Sequence, residues 1–214
     1  MTSSPAGQVT VEDDAAEPSG APDAPTRKRP KPGERRVQIL QTLAAMLEEP
    51  GADRITTAAL AARLSVSEAA LYRHFASKAQ MFEGLIEFVE QSIFTLINQI
   101  AEREPAGTTQ AAKTVGMLLQ FAEKNPGMTR VMVGDALVYE NERLQQRMNL
   151  FFDKIESALK QSLRAVDSAT PSVDAQVRAS VLTAFVVGRL QRFARSGFKR
   201  APSEHLEASL ARML

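Results

Sequence analysis

Cysteine and tryptophan are both absent from this 214-residue sequence. Without thiols there is no disulfide, no thiolate metal site and no cysteine nucleophile. Two histidines, His74 and His205, leave little for imidazole metal binding or proton transfer. No apolar run reaches the roughly 18–20 uncharged residues of a membrane helix, and no basic-then-apolar secretory signal opens the chain. Two tyrosines and 11 glycines speak against a Gly-rich sandwich or barrel. Walker loops, dinucleotide fingerprints and nucleophile elbows are missing too. The carboxylate pairs Glu48-Glu49 and Asp13-Asp14 fall at an exposed helix end and in a tail, where they read as surface charge rather than acid–base groups. The expectation is a soluble, cytoplasmic, helical protein that is not an enzyme, binds no cofactor or metal and does not insert into a membrane.

The formal net charge of +1 hides an uneven layout. Residues 1–25 hold five acidic side chains and no basic one, whereas residues 26–36 hold six basic against Glu34 alone. Six prolines and almost no large apolar side chain lie within residues 1–32. Such a segment cannot offset its ordering entropy by burial, so a disordered tail with a basic end is expected there. The run Arg27 to Arg36 is either a solubilising stretch or an arm along a phosphate backbone.

From Gly33 onward the apolar residues recur at helical spacing. Val37, Leu40, Leu43, Ala44 and Leu47 mark a first helix, stopped by Pro50-Gly51. Two short helices follow, from Ala58 to Leu64 and from Glu68 to about Phe75, with Thr56 or Thr57 and then Ser67 placed as caps. A long helix from Lys78 to about Arg103 carries Met81, Phe82, Leu85, Ile86, Val89, Ile93, Leu96, Ile97 and Ile100. Further helices are expected around Val115 to Ala122, through Met128 and Met132, from about Glu140 to Val166, from about Val173 to Arg195, and from about Ser203 to Leu214. Ser168 to Ser172 reads as a loop. No run alternates apolar and polar, so the fold class is all-α.

Residues 56–75, TTAALAARLSVSEAALYRHF, form the helix-turn-helix pattern. Leu60, Leu64, Val66 and Leu71 give an inner apolar face, and Ala61 and Ala62 are small enough for a close crossing. The outer face of the second helix shows Ser67, Glu68, Ala69, Tyr72, Arg73 and His74. A slim first turn that reaches base edges, followed by groups that grip phosphate, suits a major groove. Tyr72 either packs on the small domain or meets a phosphate, and His74 is either DNA-facing or turn-packing. Lys78 opens a helix whose amides also suit phosphate.

The stretch ITTAALAARLSVSEAALYRHFASKAQMF resembles the DNA-binding domain of the TetR family of regulators, from its Thr cap to the Ser-Lys that opens the fourth helix. Ser65 stands where that family often has Gly, and Ala76 where it often has Pro. The likeness implies three parts: the tail (1–32), a helix-turn-helix domain (33–78) and a helical dimerisation and partner-binding domain (79–214). It also implies DNA contacts from Thr56, Thr57, Ser67, Ala69, Tyr72, Arg73, His74 and Lys78. Four longer stretches, among them EKNPGMTRVMVGDALVYENERLQQRMNLFFDKIE and RLQRFARSGFKRAPSEHLE, are similar to the nucleoid occlusion branch of that family. Proteins of that branch bind chromosomal palindromes as homodimers, with further assembly on DNA compatible with that reading. When DNA-bound they antagonise polymers of the division protein FtsZ and block septum formation over the nucleoid.

The same resemblance places Phe88 in a groove for the FtsZ C-terminal tail, with Met117, Gln120, Phe121, Lys124 and Asn125 as the other wall. Leu96 stands where a basic rim residue is implied. From the residues alone, Phe88 reads equally as a side chain half covered by a neighbouring helix. A second function stays open: a TetR-type repressor controlled by a small apolar ligand. Met117, Met128, Met132, Phe151, Phe152 and Phe185 either line its cavity or fill a core.

Overall fold

Small polar residues open three of the first four helices. The computed structural model describes residues 33–49, 54–164 and 172–214. In it α1 is Glu34–Glu48, α2 Thr57–Arg63, α3 Glu68–Tyr72 and α4 Lys78–Arg103. Thr56 Oγ1 accepts from the Ala59 amide at 3.1 Å, Ser67 Oγ from Ala70 at 3.3 Å and Ser77 Oγ from Gln80 at 3.1 Å. Each bond satisfies an amide that a first helical turn leaves unpaired, worth about 1 kcal/mol. The chain continues through α5 Thr108–Lys124, α6 Pro126–Met132, a 3₁₀ turn at Asp135–Leu137, α7 Glu142–Arg164, α8 Ser172–Arg195 and α9 Leu206–Met213. Among the described residues there is no strand, as the all-α expectation requires. The tail over 1–32, the Pro50-Gly51 stop and most of the Ser168–Ser172 loop lie outside the described residues.

One continuous core runs from Leu43, Leu60 and Leu71 through Met81, Phe82 and Ile86 to Phe151, Ile155, Leu182 and Leu190. In this core α7 packs along α8, α4 against α5 and α7, and α6 against both α1 and α8. The α1–α6 approach depends on glycine. A Cβ at Gly127 would lie 2.1 Å from the Ala44 carbonyl oxygen. The Met and Phe residues weighed as cavity lining take the other option and fill the core. Met128, Met132 and Phe151 are buried, and the Phe151 ring meets Phe94 and Phe152 edge-on at 5.7 and 5.1 Å. Met117, Phe152 and Phe185 are half-buried against them.

Four expectations need correction. Val37 is exposed, and α1 instead buries Ile39, Leu43, Met46 and Leu47, because its inner face is set by α2, α4 and α6 together. The third helix ends at Tyr72, and residues 73–75 form a turn in which the His74 and Phe75 amides both donate to the Leu71 carbonyl. The helix expected from Glu140 starts at Glu142, since Asn141 Oδ1 accepts the Arg143 amide at 3.1 Å. Val177 and Val181 are exposed while α8 buries Ala175, Ala179, Leu182, Val186 and Leu190.

Three ion pairs tie α4 to the α7 side: Lys78 to Glu140, Glu83 to Arg143, and Glu90 to Arg147, the last at 2.5 Å. The hydrogen bonds that Arg147 donates to the Glu90 carboxylate hold its guanidinium above its ordinary pKa, against the opposing effect of burial.

Candidate nucleic-acid interface and partner groove

The turn between α2 and α3 brings the expected DNA-facing residues onto one small unit. Thr56 and Ser67 cap the two helices, and Thr57 Oγ1 donates to Glu68 Oε2 at 2.5 Å, fixing the start of α3 against the start of α2. Ser67, Ala69, Tyr72, Arg73 and His74 are all exposed, and Tyr72 keeps 45% of its surface open. Arg73 meets no carboxylate among the described residues. Ser65 sits in the turn at φ 54°, a left-handed backbone that glycine adopts more easily, which accounts for the glycine often found at this place.

Two cations are already engaged. Arg36 Nη1 donates to the His74 carbonyl at 3.0 Å, and its guanidinium lies 4.1 Å from the Phe75 ring centroid. This residue of the expected basic arm therefore clamps the end of α3 onto α1. Residues 27–32 of the arm lie outside the described residues. Lys78 is three-quarters covered, pairs with Glu140 and stands 5.6 Å from the Phe82 centroid. Its terminal amine would leave Glu140 to reach a phosphate.

At the start of α4, Ala76 and Gln80 act together. Gln80 Oε1 accepts the Ala76 amide at 2.6 Å while Ser77 Oγ accepts the Gln80 amide. A proline would have no N–H to satisfy here; Ala76 has one, and Gln80 takes it. The Ser77-x-x-Gln80 spacing is a capping-box signal, although here Gln80 accepts the amide one residue before the cap. Nothing local announced Glu140, which lies 62 positions from its partner.

The second candidate site spreads over α4 and α5, which pack on each other. Phe88 is 48% exposed. It lies about 140° around α4 from Glu83 at 3.6 residues per turn, on the flank away from α7. On α5 the spacing i, i+3, i+4, i+7 puts Met117, Gln120, Phe121 and Lys124 on one face. Met117 and Phe121 are half-buried against the core, while Gln120 and Lys124 are exposed. Asn125 Nδ2 donates to the Phe121 carbonyl at 2.8 Å and closes the helix end. The opposite flank of α5 is taken by the C-terminal segment. There Glu123 Oε1 accepts from Ser203 N at 3.0 Å and Ser203 Oγ at 2.5 Å. Leu96, at the implied rim, is half-buried.

Comparison with known proteins identifies the family and the fold. Residues 39–85 match the family described as bacterial regulatory proteins, tetR family, and residues 107–213 match the tetracyclin repressor-like C-terminal domain. The chain is 52% identical over 177 residues to the nucleoid occlusion factor SlmA of Idiomarina loihiensis, covering 81% of this chain and 90% of that protein. To the SlmA of Alteromonas mediterranea it is 48% identical over 180 residues, covering 83% and 92%. Among solved structures, the fatty acid regulator FadR of Bacillus subtilis in complex with stearoyl-CoA superposes with TM-score 0.66 at 15% identity, over 83% of this chain and 96% of that one. A TetR regulator from Legionella pneumophila does so with TM-score 0.67 at 16% identity, over 85% and 97%. These two share the fold. No described helix is long and apolar enough to cross a membrane. With family matches over residues 39–85 and 107–213, and about half of the aligned residues identical to curated relatives over some four-fifths of the chain, this protein belongs to the TetR family, within its branch of SlmA nucleoid occlusion factors.

Proposed function

We propose that two copies of this chain grip a chromosomal palindrome through α3 and, once on DNA, hold the FtsZ C-terminal tail against α4 and α5, blocking septum formation over the nucleoid. Thr56, Thr57, Ser67, Tyr72, His74 and Lys78 make the phosphate frame in this reading, with Ala69 and Arg73 nearest the base edges. The observation that carries it is the unbroken run of α4 from Lys78 past Phe88 to Arg103. One rigid helix thus holds a residue of each site, ten positions or about 15 Å apart. Seating Lys78 on a phosphate would set the tilt of this helix and with it the groove around Phe88.

A homodimer supplies the second half-site, roughly 34 Å away or a multiple of it. Its support is an uncovered stripe on α8. Val173, Val177 and Val181 are 71%, 55% and 47% exposed, and a Cβ at Gly188 would meet nothing within 4 Å. A dimeric mass at micromolar concentration is the expected result, and a monomer there defeats the dimer.

The deciding experiment is sedimentation of FtsZ polymers with this protein, with and without its specific duplex. Polymer loss should require the duplex. Phe88→Ala or Lys124→Glu should remove the effect while DNA binding persists. If wild-type protein leaves the polymers unchanged under both conditions, the reading fails.

A further inference from the structure

The stretch Arg189–Arg200, RLQRFARSGFKR, carries five basic side chains and no acidic one. Neither DNA reading nor the groove uses it. Its last third is a built corner. The Gly197 amide donates to the Ala194 carbonyl at 3.1 Å and the Phe198 amide to the Phe193 carbonyl at 3.0 Å, the paired bonds that close a helix end over a left-handed residue. Phe198 packs edge-on against Phe193 at 5.2 Å, as this closure favours. Gly197 and Phe198 both have positive φ, 62° and 64°. For phenylalanine that backbone is costly, and it persists only where the surroundings over-determine it.

Ser196 supplies part of that bracing. Its hydroxyl donates to the Phe193 carbonyl at 2.8 Å and accepts the Lys199 and Arg200 amides at 3.1 and 3.0 Å. From α6, the Arg130 guanidinium lies 5.3 Å from the Phe198 centroid. The segment is then bolted to the end of α5 through Ser203 and Glu123, one residue before Lys124.

Four cations from three elements flank this fixed corner: Arg130, whose guanidinium lies over the Phe198 ring, and the exposed Arg195, Lys199 and Arg200, within three positions of Phe198 in the chain. None of them pairs with a carboxylate among the described residues. Of the carboxylates around it, Glu123 accepts two hydrogen bonds from Ser203, and Glu204 is an exposed side chain 3.7 Å from His205. We propose that this corner docks an acidic polypeptide segment, continuing past the Lys124 end of the α5 face. It rests on the groove reading and extends it: the tail occupies the apolar face, and carboxylates flanking it reach Lys199 and Arg200. Charge complementarity of this kind steers encounter and fixes register. A duplex fits less well, because α6 and α1 stand between this corner and the α2–α3 unit.

The test is fluorescence anisotropy of the full chain with a short fluorescein-labelled polyglutamate peptide. The double variant Lys199→Glu, Arg200→Glu should weaken binding roughly tenfold at low salt, and high salt should erase the difference. Lys199→Arg with Arg200→Lys should keep wild-type affinity. Both positions are exposed, so the variants should melt with the wild type. Phe88→Ala should leave polyglutamate binding intact, which separates this corner from the tail groove. Equal peptide affinity in the charge-reversed protein overturns the proposal. So does a loss confined to random duplex DNA, which would make the corner a phosphate contact.

Discussion

Between Thr56 and Gln80, each capping side chain meets a backbone amide no more than four positions away. In the core the groups that set one helix on another come from far apart: Lys78 reaches Glu140, Arg147 reaches Glu90, and Ser203 reaches Glu123. The helix starts of the reading unit are thus specified by short-range rules of capping and turn geometry. The core is specified by which surfaces fit. Damage to the first should be graded and local, and damage to the second should be large and should travel.

The strongest test of that contrast is Gly127→Ala. The new methyl would collide with the Ala44 backbone, a carbonyl that has no rotamer to escape into. We expect a loss of about 3 kcal/mol, the upper end for overpacking, read by chemical denaturation. Because α6 carries α1 at this point, DNA affinity should fall too, although no DNA-facing residue has changed. An unperturbed midpoint would mean that α1 and α6 part easily.

Lys78 and Arg73 come next. Lys78→Ala should weaken binding to every duplex and lower the salt slope by about one unit. Arg73→Ala should instead relax discrimination, by about 1–3 kcal/mol at one base pair. Equal losses on cognate and random DNA for both variants would remove Arg73 from base readout. Ser67→Ala should cost about 1 kcal/mol through the lost cap of α3. The smallest effect has the opposite sign. Ser65→Gly relieves a left-handed serine and should stabilise by about 0.5–1 kcal/mol, seen as a small rise in melting temperature.

The same contrast explains what could be read from the sequence. Thr56 or Thr57, and Ser67, announced their helices because a cap bonds an amide only three positions on. The start of α4 and the special turn at Ser65 were legible from the family likeness, through its Ser-Lys and the glycine it often has where Ser65 stands. Val37 misled because periodicity marks an apolar face without saying which neighbours will cover it. Val177 and Val181 belong to the same class, apolar in pattern and uncovered in one protomer. Glu140 and the Phe198 corner were invisible, since both depend on partners that only folding brings near. For the groove, the sequence placed Met117, Gln120, Phe121 and Lys124 on one helical face. That Asn125 is spent on the Phe121 carbonyl required coordinates.

The three ion pairs between α4 and the α7 side also act as a key. Read upward, α4 presents Lys78, Glu83 and Glu90, so its order is positive, negative, negative. Its neighbour presents Glu140, Arg143 and Arg147, the complementary order in the same direction. Sliding one strip past the other by a single rung would set Arg143 against Lys78, cation on cation. Misaligned packings are thereby penalised at a distance, before side chains interlock and when a correction is still cheap. The charges that contribute little at exposed positions as bonds thus serve as an address, telling two amphipathic helices which of several similar alignments is theirs.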